Sequence, residues 1–309
     1  MEKNSKFWGH SALFAANLIF GINNPIASNL MPEVIDPLAL TFFRFGGGMV
    51  LFWITSLFLQ PEKVSKHDKF QLFLASVFAL TLNQLPFFYG LSITSPIDAS
   101  IVVTLLPIAT MVLAALILKE PITQMKVIGV LVGASGALII VFNSASQASG
   151  NGNMLGNLIV FFAVISFGIY LTVFKKLISR YHPVTVMKWM FLWATLTGLP
   201  FCYSSLTRLQ VVAFDTENWL SIGFVIVFAT YAGYLLLPIG QKTLRPTTLS
   251  MYNYMQPVVA SIVAIAIGID RFGYQQALAG LLVFAGVYIV TQSKSREQLE
   301  AEHSRKSKA

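Results

Sequence analysis

The stretch Leu105 to Ile140 reads LLPIATMVLAALILKEPITQMKVIGVLVGASGALII. Two continuously apolar runs flank one short polar break, Lys119 to Lys126. A bilayer core of about 30 Å takes about 20 helical residues to cross, and the runs around this break, 97–118 and 124–143, each have that length. Barrel strands would alternate apolar and polar residues in segments of about ten, and helices of a soluble protein would keep a polar face. Neither pattern is present. The stretch reads as two membrane-spanning helices joined by a basic turn.

Working outward, eight more runs of the same kind fall at 9–30, 37–59, 70–91, 154–174, 184–205, 218–239, 247–268 and 274–292, which makes ten. Composition agrees: 34 of the 309 residues are charged, or 11%, and 55% are apolar, whereas a soluble domain carries about 25% charged residues. This argues against a water-soluble enzyme. The formal net charge of +8 sits in short clusters between apolar runs. Nucleic-acid binding would need a basic face on a folded surface, so the expected partners are membrane lipids and a small-molecule substrate, with no nucleic acid. Cys202 is the single cysteine, which rules out an intramolecular disulfide and a cysteine-based metal cage. No cofactor or metal is expected.

Cytoplasmic loops of membrane proteins carry an excess of Lys and Arg. With the N-terminus inside, 17 of the 21 basic residues fall on cytoplasmic segments and only Arg208 and Arg271 fall outside. Both termini are therefore expected to be cytoplasmic. The first span has some marks of a secretory signal, with two lysines before it and Ala15-Ala16 within it. Its apolar run continues past Pro25 to Leu30, too long for a signal core, so it is read as a retained helix. The polar stretch SASQASGNGN, residues 144–153, lies near the midpoint and has a flexible linker's composition. The expected organisation is a cytoplasmic N-terminus 1–8, a first five-helix repeat 9–143, an external linker 144–153, a second five-helix repeat 154–292 and a cytoplasmic tail 293–309.

A duplication should show as special residues matched at one offset. Residues 89–141 laid on 239–291 without a gap pair Gly90 with Gly240, Pro96 with Pro246, Ser100 with Ser250, Pro107 with Pro257 and Gly136 with Gly286. Phe20-Gly21-Ile22 matches Phe167-Gly168-Ile169 at the slightly different offset of 147. Five spans per half is an odd number, so the second half enters the membrane from the opposite side. The expected fold class is therefore an all-α integral membrane protein with ten transmembrane helices as two inverted five-helix repeats. Secondary transporters are often built this way, with the substrate site near the midplane between the halves.

These residues resemble the drug/metabolite transporter superfamily, in particular its EamA branch. The resemblance is densest at Leu105 to Ile140, with its mid-helix proline, its Lys119-Glu120-Pro121 and its Gly-rich following helix. It extends to FGINNP (Phe20 to Pro25), PLALTFFRF (Pro37 to Phe45) and MQPVVASIVAIAIGID (Met255 to Asp270). It implies a metabolite carrier of the inner membrane, often an exporter of amino acids or related compounds. It also implies a central cavity lined by spans 1–4 and 6–9, with spans 5 and 10 peripheral. At Asp270-Arg271 the sequence departs from the glutamate more usual there.

Polar side chains at membrane depth are the candidate substrate ligands, because an unpaired polar group in hydrocarbon costs several kcal/mol. Arg44, about two turns into span 2, either snorkels to the headgroups or faces a cavity; Lys188, a turn into span 7, fits snorkelling better. Asn83 and Gln84 lie in the outer half of span 3, and the 150 offset carries Gln84 onto Tyr234. Tyr231 and Tyr234 share a face of span 8, Asn253 and Gln256 a face of span 9, and Asn17 and Asn24 a face of span 1. Interhelical hydrogen bonding without a substrate accounts for any single amide, less well for the converging set. Pro25, Pro107 and Pro257 each remove a backbone donor and invite a bend, static or as a hinge. Gly46-Gly47-Gly48 suits close helix packing.

No carboxylate lies at mid-depth, Asp98 and Glu120 being the nearest. A proton antiporter with a buried carboxylate is therefore disfavoured, which leaves His10 or a substrate group for any coupling. The expected function is a secondary transporter moving a small polar metabolite by alternating access. A channel is the alternative, and a membrane-embedded enzyme the less favoured one, since only His10 among candidate catalytic groups approaches a span interior.

Overall fold

The computed structural model describes residues 2–31, 33–94, 96–145, 153–209, 214–266 and 274–294. Most of the 144–153 linker, the tail beyond residue 294 and Asp270-Arg271 lie outside the described residues. The described residues are helical, with no strand among them. The rods in chain order are α1 (Glu2–Leu30), α2 (Pro37–Leu57), α3 (Lys66–Ile93), α4 (Pro96–Val103 and Leu106–Leu118) and α5 (Gln124–Ala145). They continue as α6 (Met154–Val173), α7 (Pro183–Thr207), α8 (Thr216–Thr243), α9 (Pro246–Met251, Tyr252–Tyr254 and Met255–Ala266) and α10 (Tyr274–Gln292). Among the described residues, five helices are long and apolar enough to cross a membrane: Pro37–Leu57, Lys66–Ile93, Ile101–Leu118, Met154–Val173 and Thr216–Thr243.

Helix starts follow from capping chemistry, since a polar side chain satisfies amides that the first turn leaves bare. Asp36 accepts from the Leu38 amide at 2.8 Å ahead of Pro37, Ser65 from Asp68 at 3.0 Å, Asn153 from Leu155 at 2.9 Å and Asp215 from Asn218 at 2.7 Å. At its far end α4 stops at Lys119, whose φ of 55° is left-handed, just before Pro121. Helix starts differ from the apolar runs. The α1 helix begins at Glu2 rather than at residue 9, and α3 and α8 each run for 28 residues. Hydropathy marks where a helix enters lipid, and the backbone coils before that point.

Four rods are irregular, and they match in pairs. The α3 and α8 rods widen to π-helix at Val77–Thr81 and Val225–Ala232. The α4 rod breaks at Thr104-Leu105 and α9 tightens to a 3-10 turn at Tyr252–Tyr254. Widened turns release carbonyls from the helix ladder. Ser166 uses one, donating to the Phe78 carbonyl at 2.7 Å, and Thr230 donates to the Val225 carbonyl at 2.9 Å.

Packing is also paired. The α2 rod lies along α7 and α5 along α10, while α1 contacts α8 and α9 as α6 contacts α3 and α4. Glycine lets α5 and α10 touch: a Cβ on Gly286 would stand 2.5 Å from the Gly133 nitrogen, and one on Gly136 would stand 2.7 Å from the Ala279 carbonyl oxygen. The interior holds Phe45, Phe52, Leu72, Tyr170, Phe191 and Met251. Large apolar residues also cover the outside, with Phe58 84%, Leu116 73% and Leu281 70% exposed. Such a surface is stable against lipid and not against water.

Candidate functional site

Arg44 is drawn inward by local packing on α2. Gly48, one turn further along, has no side chain to hold α8 away, and a Cβ there would meet Phe191 at 2.6 Å and the Thr230 methyl at 3.1 Å. Arg44 is buried, 8% exposed as a residue, and its Nε donates to Thr230 Oγ1 at 3.1 Å. Thr230 stands in the π-helical part of α8, one turn before Tyr234. No carboxylate is paired with Arg44 among the described residues. Between the two readings left open for Arg44, the geometry is the inward one.

Tyr234 is buried at 8% exposure and accepts from Gln84 Nε2 at 2.6 Å. Gln84 Oε1 is buried with no hydrogen-bond partner among the described residues. An aromatic chain runs past this cluster: Tyr231 to Phe52 at 4.8 Å between ring centroids, Phe52 to Phe191 at 5.4 Å, Phe191 to Tyr234 at 5.3 Å and Tyr234 to Phe20 at 5.7 Å. The Tyr231 hydroxyl lies 2.7 Å from Thr55 Oγ1.

A second polar cluster joins α1 to α9. Gln256 Nε2 donates to Asn17 Oδ1 and to Asn253 Oδ1, both at 2.9 Å, and Asn17 Nδ2 donates to the Leu13 carbonyl at 2.9 Å. Phe20, one turn along α1 from Asn17, connects this cluster to Tyr234. Other candidates lie apart. Asn83 faces a different side of α3 from Gln84 and donates to the Ala163 carbonyl at 3.0 Å, while Asn24 is exposed. Lys188 Nζ sits 5.2 Å over the Trp53 ring, and Lys69 Nζ 4.5 Å over Trp189. Pro107 and Pro257 each follow an irregular turn, whereas α1 runs helical through Pro25.

Residues 7–142 and 154–292 match the family model of the EamA-like transporters. The chain belongs to that family. Its EamA-like relatives include a protein of Archaeoglobus fulgidus named as an uncharacterized transporter, 25% identical over 84% of this chain and 90% of the relative. The uncharacterized transporter YyaM of Bacillus subtilis is 22% identical over 94% of this chain and 98% of its own. A solved crystal structure superposes with a TM-score of 0.76 at 18% identity, covering 94% of this chain and 96% of that one, a likeness in fold. The chain is a multi-pass membrane protein of a transporter family.

Nothing in the sequence of this EamA-like chain marks Thr230, Thr55 or Phe191 as site residues, and Phe20 stands out only through its repeat match. Threonine in a membrane helix ordinarily bonds its own backbone, as Thr41 and Thr195 do here, and phenylalanine is everywhere in such a chain. The 150 offset was the one available signal, because it already paired Gln84 with Tyr234.

Proposed function

We propose that this chain is a secondary transporter of a small polar metabolite, an amino acid or related compound, exported across the inner membrane by alternating access. Ten spans form two inverted halves, 9–143 and 154–292, with both termini cytoplasmic. The observation that carries the reading is a pair of hydrogen bonds, Gln84 to Tyr234 and Tyr254 to the Thr104 carbonyl, each joining residues 150 apart. Residues equivalent in a repeat meet each other only on the two-fold axis that relates the halves, as in any self-complementary contact. The paired π-helical segments, the breaks in α4 and α9 and the paired packing of the rods support the same axis. Broken helices at matching places are where carriers of this architecture hold substrate.

The substrate chemistry follows from what surrounds the axis. Arg44 offers a positive charge that has no carboxylate partner among the described residues, and an uncompensated buried charge is costly, so an arriving anion gains a strong charge-assisted contact. Gln84 Oε1, which has no hydrogen-bond partner among the described residues, offers an acceptor for an N–H donor. The chain of Phe20, Phe52, Phe191, Tyr231 and Tyr234 offers an apolar wall. A carboxylate, an N–H group and an apolar body together describe an amino-acid-like solute. The Asn17, Asn253 and Gln256 cluster and the irregular turns before Pro107 and Pro257 stand next to this region as further ligand and hinge. Counterflow of labelled amino acids and nucleosides in proteoliposomes tests the reading. Saturable uptake driven by preloaded unlabelled solute is expected for an amino acid; flux without saturation or counterflow would mark a channel and overturn it.

A further inference from the structure

A cleft of about 540 Å³ opens between the end of α4 and the turn that follows α6. It is lined by Leu118, Glu120, Lys175, Lys176, Ser179 and Arg180. The single carboxylate there is already engaged: Glu120 Oε2 accepts from Lys126 Nζ at 3.0 Å, deep enough that Lys126 is 1% exposed. Arg180 leans away, its Nη1 3.5 Å from Asp68 Oδ1. Neither Lys175 nor Lys176 has an ion pair among the described residues. Burial holds the Lys175 ammonium below the usual lysine range, and nearby Arg245 and Lys126 push the same way against the pull of Glu120. The cleft is a cationic recess whose one carboxylate is engaged by Lys126.

We propose that this cleft binds the phosphate headgroup of an anionic phospholipid. Its position favours a lipid over a soluble anion. Lys175 follows the apolar α6 by two residues, so the recess lies where a membrane helix meets the headgroup layer. Within about one turn of it, Leu116, Ile117 and Val173 are exposed large apolar residues, and Ile122 is exposed just beyond Glu120. Acyl chains would lie on that surface while the two ammonium groups meet the phosphodiester; the Ser179 hydroxyl is already used, donating to the Lys175 carbonyl at 2.8 Å. Basic recesses between helix ends attract anionic headgroups by about fivefold per cation near the surface. This inference does not rest on the transport reading.

The experiment is native mass spectrometry of the full chain in mixed micelles holding phosphatidylglycerol and phosphatidylcholine in equal amounts. Wild type is expected to retain phosphatidylglycerol preferentially by about tenfold or more, and Lys175→Gln with Lys176→Gln to lose that preference. Lys175→Arg with Lys176→Arg should keep it, which separates charge from folding should the glutamine variant be unstable. Inorganic phosphate at millimolar concentration should not displace the lipid. Equal retention of the two lipids by wild type, or an undiminished preference in the glutamine variant, overturns the site. Displacement by phosphate overturns the lipid assignment in favour of a soluble anion.

Discussion

A lysine at position 44 would keep the charge of Arg44 but not the planar fork that holds a carboxylate with two parallel bonds. Arg44→Lys is therefore expected to raise the apparent Km for transport severalfold with expression unchanged, measured as counterflow in proteoliposomes. Wild-type kinetics in that variant would move the anchor elsewhere, Lys188 being the next cation to test. Lys119 makes a different kind of claim, about backbone. Its φ of 55° puts a side chain in the left-handed region, which costs an L-residue about 1–2 kcal/mol and glycine little. Lys119→Gly should leave thermal unfolding in detergent unchanged or shifted upward, whereas Lys119→Val should lower it. A drop for the glycine variant would mean that the lysine side chain holds something its backbone strain does not repay.

At the scale of helices, close approach between α5 and α10 depends on Gly286 and Gly136, because the atoms nearest their missing Cβ positions include backbone atoms that cannot swing aside. Gly286→Ala should destabilise by about 1–3 kcal/mol, the usual cost of overpacking. Gly46→Ala is the matched control, since nothing lies within 4 Å of the position where its Cβ would stand. Comparable thermal shifts for the two variants would rule out the proposed contact. Tyr254 joins the two irregular turns, donating to the Thr104 carbonyl at 2.8 Å. Tyr254→Phe removes that link while keeping the ring. It is expected to change transport rate more than folded yield, read as counterflow velocity beside size-exclusion recovery.

For the molecule as a whole, the positive-inside bias predicts that cysteines at Lys66 and Ser146, in a Cys202→Ala background, label from opposite sides of the membrane. Labelling of both by an impermeant reagent in intact cells would end the ten-span reading. The sequence by itself determined the membrane class, the run boundaries and the 150-residue offset, because each depends on composition or spacing along the chain. Lipid demands continuous apolar runs, and that demand is legible in one dimension. The same offset set Gln84 against Tyr234. Only the tertiary structure decided that they touch. Whether Arg44 points inward was equally beyond the sequence, since snorkelling and burial place the same residue at the same depth and differ in which helix approaches; here Gly48 lets α8 come close and Arg44 Nε donates to Thr230. Asn83 and Gln84 are neighbours in the chain, yet one serves a backbone carbonyl on α6 and the other the Tyr234 hydroxyl on α8. Adjacent residues on a helix face directions about 100° apart, and what stands in each direction is a property of the bundle.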